Sequence, residues 1–128
     1  MSKKANELNL QVFDVHMGMF DYGVRFCIGE YKKAVEYVAW VYKIDKEDLF
    51  KPIHEPRGTC FNRPGYVPII WVEKKPETPR EIATLAHECI HAISYMFDWA
   101  NMPFCNETEE AFCHATAHIM NVALGKIK

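Results

Sequence analysis

A chain of 128 residues, 49% apolar and 25% charged, has the material for one compact domain spanning residues 1–128, with a core and a solvated surface. A formal charge of −2 supplies no basic stripe, so neither nucleic acid nor an anionic membrane surface is an expected partner. No stretch approaches the run of about 18 apolar residues that a membrane span needs, and the start "MSKKANELNL" lacks the apolar region and cleavage site of a secretory signal.

In chain order, the first pattern is a hairpin: residues 12–16 and 22–28 are rich in β-branched and aromatic side chains and are separated by Met17, Gly18 and Met19. Gly29 then introduces "EYKKAVEYVAWVYKI", where Tyr31, Ala34, Val35, Val38, Val41 and Tyr42 recur at helical spacing, predicting an amphipathic helix. The segment "KEDLFKPIHEPRGTCFNRPGY" carries the breakers Pro52, Pro56, Gly58, Pro64 and Gly65 and reads as a loop-rich connection. "VPIIWVE" follows as a strand, and Pro68, with no N–H to give to a ladder, argues for an edge position.

Two helices complete the chain. The first has a strong start signal, with Thr78 as N-cap, Pro79 at the first helical position and Glu81 three residues after the cap, and it should run to about Asp98. Its expected core face is Ile82, Leu85, Ala86, Cys89, Ile90, Ile93 and Phe97, while His87, His91 and Tyr95 line another face at i, i+4, i+8. For the second, Asn106 is the expected N-cap, Glu109 the matching capping-box residue and Gly125 the C-cap. Trp40, Trp71 and Trp99 are read as core, and His16 and His54 as satisfied surface or loop histidines. The five cysteines, Cys27, Cys60, Cys89, Cys105 and Cys113, include no C-x-x-C pair. They read as reduced thiols of a cytosolic protein, mostly small buried hydrophobes.

Within the first of these helices "LAHECIHAIS" contains H-E-x-x-H, an arrangement that a shuffled chain of this composition would rarely produce. Two histidines one helical turn apart can converge on one metal ion, and a catalytic zinc site needs one further protein ligand and an open position for water. Glu88 follows the first histidine and is placed beside the metal as general base, not as a ligand. For the third ligand the candidates are Glu107, Glu109, Glu110, His114 and His118. Glu107 complements the helix dipole and Glu109 is expected to reach back to the cap, which leaves Glu110, with Glu109 as the alternative if the register is off by one. A hydrolase of this design also needs a donor for a developing oxyanion, for which Tyr95, His114 and His118 are candidates.

With "HECIH" followed by "ETEEAFCHATAHIM", residues 66–124 resemble the gluzincin metallopeptidases, and more narrowly the small metallopeptidases of phage and prophage genomes and the ImmA/IrrE group. The resemblance implies a glutamate ligand on a helix downstream of the H-E-x-x-H helix, and "IIWVE" as the edge strand along which an extended peptide is laid. One turn after the glutamate, where larger gluzincins place an Asp, this chain has His114. The expectation is therefore an α+β fold of minimal zincin type: a small mixed or antiparallel sheet, an N-terminal helix, the H-E-x-x-H helix and a C-terminal glutamate-bearing helix. The expected function is peptide or amide hydrolysis of a peptide or protein substrate, with zinc on His87, His91 and Glu110 and with Glu88 as base. The competing expectation is a non-catalytic, zinc-stabilised binding or regulatory module, its metal closed by a fourth ligand from His114, His118 or Cys113.

Overall fold

In the computed structural model, which describes residues 2–18, 22–49 and 57–128, the two β-branched stretches pair as expected. Strand β1 (Gln11–Met17) runs antiparallel to β2 (Tyr22–Ile28), with Val15 opposite Val24. A short helix, α1 (Lys3–Glu7), precedes them, capped by the Ser2 hydroxyl, which accepts from the Ala5 N–H. Gly29 stands at φ 148, and a Cβ there would lie 2.7 Å from Leu10 Cδ2, so only glycine makes this exit from β2. The amphipathic helix follows as α2 (Tyr31–Tyr42). His54 and the prolines 52 and 56 lie outside the described residues.

The breaker-rich connection holds a 3-10 turn over Lys46–Asp48 and a strand not anticipated from sequence, β3 (Gly58–Phe61). Strand β4 (Ile69–Val72) pairs in parallel with β2 and antiparallel with β3, giving the order β1-β2-β4-β3. The edge assignment drawn from Pro68 is thus corrected: β4 is interior and all four of its residues are buried, and β3 is the edge. Pro68 is tolerated because it precedes the ladder, and its carbonyl still accepts from the Arg25 N–H at 3.0 Å.

The period of two assigns the sheet's two faces. Val24, Phe26, Ile28, Ile70 and Val72 face one core, which is closed by α3 (Pro79–Trp99) and α4 (Glu109–Lys126). Cys27, Ile69, Trp71 and Phe61 face a second core, closed by α1 and α2. The sheet is therefore a middle layer, and β4, apolar on both faces, is its centre. Tyr42 ties the second layer to the sheet: its hydroxyl lies 3.0 Å from the Phe61 carbonyl and 2.8 Å from that of Val67. Among the described residues no helix is long and apolar enough to cross a membrane.

Helix α3 has the capping box read from sequence, the Thr78 hydroxyl accepting from the Glu81 N–H while the Glu81 carboxylate accepts from the Thr78 N–H. Its buried stripe is Leu85, Glu88, Cys89, Ala92, Ile93, Met96 and Phe97. Ile82 and Ile90, expected in the core, are exposed, because the sheet meets the helix along the 85-88-92-96 line rather than the 82-86-90 line. Helix α4 also departs from expectation. Thr108, not Asn106, is the N-cap residue, and its hydroxyl is bonded to Cys105 N–H and the Pro103 carbonyl within the preceding turn. Glu109 is consequently the first helical residue and closes no capping box. Gly125 lies inside the helix, and Ile127 is the C-cap.

Trp71 is core, its indole N–H donating to the Gly29 carbonyl at 2.8 Å, whereas Trp40 and Trp99 are exposed. Of the cysteines only Cys27 and Cys89 are buried; Cys60 and Cys105 are half-buried and Cys113 is exposed.

Candidate metal centre

The capping box sets where α3 begins, and the burial of Leu85, Cys89 and Ile93 sets its rotation on the sheet. Together they aim His87 and His91 out of the protein and turn Glu88 inward. The two imidazole Nε2 atoms stand 3.2 Å apart, with the rings nearly edge to face. Two nitrogens each 2.0–2.1 Å from a tetrahedral ion are separated by about 3.3–3.4 Å, so the pair already has the spacing of a chelate. In the absence of an ion, one ring must donate N–H to the other.

Glu88 is 6% exposed, and its Oε2 is buried without a hydrogen-bond partner among the described residues. A buried acceptor left unpaired costs about 1–3 kcal/mol, more for a charged group, which is a common mark of a site whose ligand or reacting water completes it. Burial pushes the Glu88 carboxyl up from the ordinary range, and the neighbouring His87 and His91 pull it down. The ligand atoms of His87, Glu88 and His91 all lie within 4.8 Å of one another, and among the described residues they form the one such group of three.

Strand β3 closes the inner side. A Cβ on Gly58 would lie 2.9 Å from Thr84 Cγ2 and 3.3 Å from Glu88 Cγ, so the absence of a side chain there lets the edge strand approach the helix beside the carboxylate. Sequence reasoning read Gly58 only as a breaker; its flanking residues carry no signal of this approach. Cys60 on the same strand and Cys89 on α3 are both pushed up to about 12, by burial first and then by the negative charge of Glu88. Neither thiol belongs to the group of ligand atoms that the structure gathers, which leaves two imidazoles and a carboxylate as the donor set. Tyr22, also missed from sequence, has a buried hydroxyl with no partner and is pushed up to about 12 by burial and by its neighbours Tyr95 and Cys60.

The remaining candidates are dispersed along α4. Glu110 is not brought to the histidine pair: its Oε1 lies 3.0 Å from His114 Nε2, and both side chains are exposed. The reason is rotational, since α4 packs through Ala115, Ile119 and Ala123, and Glu110 stands about 140° around the helix from Ala115. Glu109 is likewise exposed, and His118 donates to the His16 carbonyl of β1 at 3.2 Å. Of the three oxyanion-donor candidates, Tyr95 alone shares the helix of the pair, one turn beyond His91. Comparison of the chain with protein-family models, with curated proteins and with solved structures finds no match.

Proposed function

We propose that this protein is a zinc-dependent peptidase or amide hydrolase. The observation that carries the reading is a pre-spaced imidazole pair, Nε2 to Nε2 3.2 Å, beside a buried carboxylate whose Oε2 has no partner. The donor set of two imidazoles and a carboxylate suits zinc. His87 and His91 would hold the ion. Glu110 is the proposed third ligand; its side chain is 82% exposed and engaged only with the exposed His114 among the described residues, so its redirection sacrifices little. When bound, the ion supplies Lewis-acid polarisation of a carbonyl and acidifies a water molecule.

Glu88 takes and returns the proton. Its buried carboxylate lies beside Gly58 of β3, and its raised proton affinity suits a group that must accept a proton and then deliver it to a leaving amine. Edge strand β3 offers free backbone groups for an extended peptide by strand addition. The five unpaired cysteines support a reducing compartment, the cytosol. The non-catalytic alternative needs a closed site with a fourth ligand from Cys113, His114 or His118, which, like Glu110, lie outside the group that the structure gathers.

The deciding experiment is a peptide-library digest read by mass spectrometry, comparing the zinc-loaded parent with Glu88→Gln. Cleavage by the parent that falls by at least roughly 10²–10⁴-fold in the variant, at unchanged zinc content, supports the reading. A parent that cleaves nothing, or a variant as active as the parent, overturns it.

A further inference from the structure

Beyond the metal centre, a cavity of about 570 Å³ lies at the ends of β2 and β4 where α2 and α3 begin. Its floor is Trp71, and its rim carries Lys32, Arg57 and Arg80. These three cations make no ion pair among the described residues. The carboxylates on the same rim are largely spent. Glu81 accepts from the N–H groups of Glu77 and Thr78 and lies 3.6 Å from Lys74, and Glu30 has Lys33 at 4.0 Å. Glu73 is left against three cations. The N-terminus of α3 is already satisfied by its own capping box, so the attraction comes from the side chains.

The cleft and the proposed active site share helix α3 and flank the same glycine of β3. Arg80 and Thr84 line the cleft from α3, and Thr84 meets Gly58 at the place where Gly58 meets Glu88. Along the helix axis Thr84 and Arg80 lie about 6 and 12 Å before Glu88. An extended peptide advances about 3.3 Å per residue, so a chain lying along β3 with its scissile bond over Glu88 would present a side chain to the cleft about two to four residues away.

Resting on the peptidase reading, we propose that this cleft is a subsite that takes an acidic side chain, Asp or Glu, two to four residues from the scissile bond. Exposed charge pairs are individually weak, so two or three cations yield a modest preference, roughly 3–10-fold. The test is binding, measured apart from turnover. Fluorescein-labelled alanine–threonine octapeptides carrying two adjacent Glu, or two adjacent Lys, at each position are titrated by anisotropy into the zinc-loaded Glu88→Gln protein. The expected result is roughly 3–10-fold tighter binding of the Glu peptides, weakened by added salt. The preference should be lost in Arg57→Gln/Arg80→Gln and reversed in Arg57→Glu/Arg80→Glu. It should persist in Lys3→Glu, on α1, which does not line the cleft. All the replaced side chains are exposed, so folding should be unaffected, and circular dichroism checks it. Equal binding of the two peptide sets, no binding of either, or a preference that survives the Arg57/Arg80 changes overturns the subsite. Failure of the peptidase reading is read separately, in the digest.

Discussion

At the residue scale, Glu88 is where a single change says most. The carboxylate is buried with an oxygen unpartnered among the described residues, and its proton affinity is raised, chiefly by burial. The sign follows from linkage: the fold favours the neutral acid, so the stabilising share is present at low pH and is lost as pH rises through the folded value. Glu88→Gln should therefore raise the melting temperature of the chelator-treated protein at pH 7. The advantage should shrink as both proteins are taken toward about pH 4. A variant that melts below the parent at pH 7 would mean that the carboxylate is paired in solution. The choice of third ligand belongs to the same scale. Glu110→Ala should weaken zinc binding severely while Glu109→Ala leaves it intact, both measured by competition with a chromophoric chelator, and the reverse would move the ligand to Glu109. The H-E-x-x-H spacing was legible because i, i+4 geometry is local; the rotation of Glu110 away from the pair was not, because it depends on which stripe of α4 packs.

At the scale of elements, the joint between β3 and α3 is the most exacting contact. Gly58→Ala would bring a Cβ to 2.9 Å from Thr84 Cγ2, and overpacking of this kind costs about 1–3 kcal/mol, read by urea denaturation. Adding Thr84→Ser removes the opposing methyl while keeping the hydroxyl that donates to the Arg80 carbonyl, so the double variant should recover most of the loss. A harmless Gly58→Ala would show that the strand stands off from the helix. The helix starts give a second comparison. Thr78→Ala should cost about 0.5–2 kcal/mol through its capping box, and Thr108→Ala a comparable amount through the turn it closes, with Asn106→Ala near neutral. A cost at Asn106 with none at Thr108 would restore the sequence-based start. Thr78 and Glu81 were legible because their cap is an i to i+3 signature with Pro79 between them. Asn106 misled because a good capping side chain only competes for the role, and here the turn through Pro103 and Cys105 settled on Thr108.

At the scale of the molecule, the layers were legible and the sheet order was not. Alternation in β1 and β2 and helical spacing in α2 and α3 are properties of single segments, and they gave an α+β domain with the pair on a capped helix. Strand order is a property of pairing between segments. "GTCF" is short and embedded among breakers, so nothing local marked it as the strand that takes the edge and leaves "IIWV" central. The consequence is functional, since the edge next to Glu88 is β3. Ligand binding to the native state alone should couple this architecture to metal. Free zinc at about 100 times its dissociation constant should add about 2.7 kcal/mol of stability, seen as a rise in melting temperature that chelator reverses.

The central claim is that His87 and His91 hold a divalent ion beside an unligated Glu88. Isothermal titration of zinc into metal-stripped protein, run in parallel on the parent, His87→Ala, His91→Ala and Glu88→Gln, tests it most directly. One site per chain is expected in the parent, its loss in both histidine variants, and its retention in Glu88→Gln with an affinity near that of the parent. A parent that binds no zinc, or histidine variants that bind it as the parent does, would contradict it.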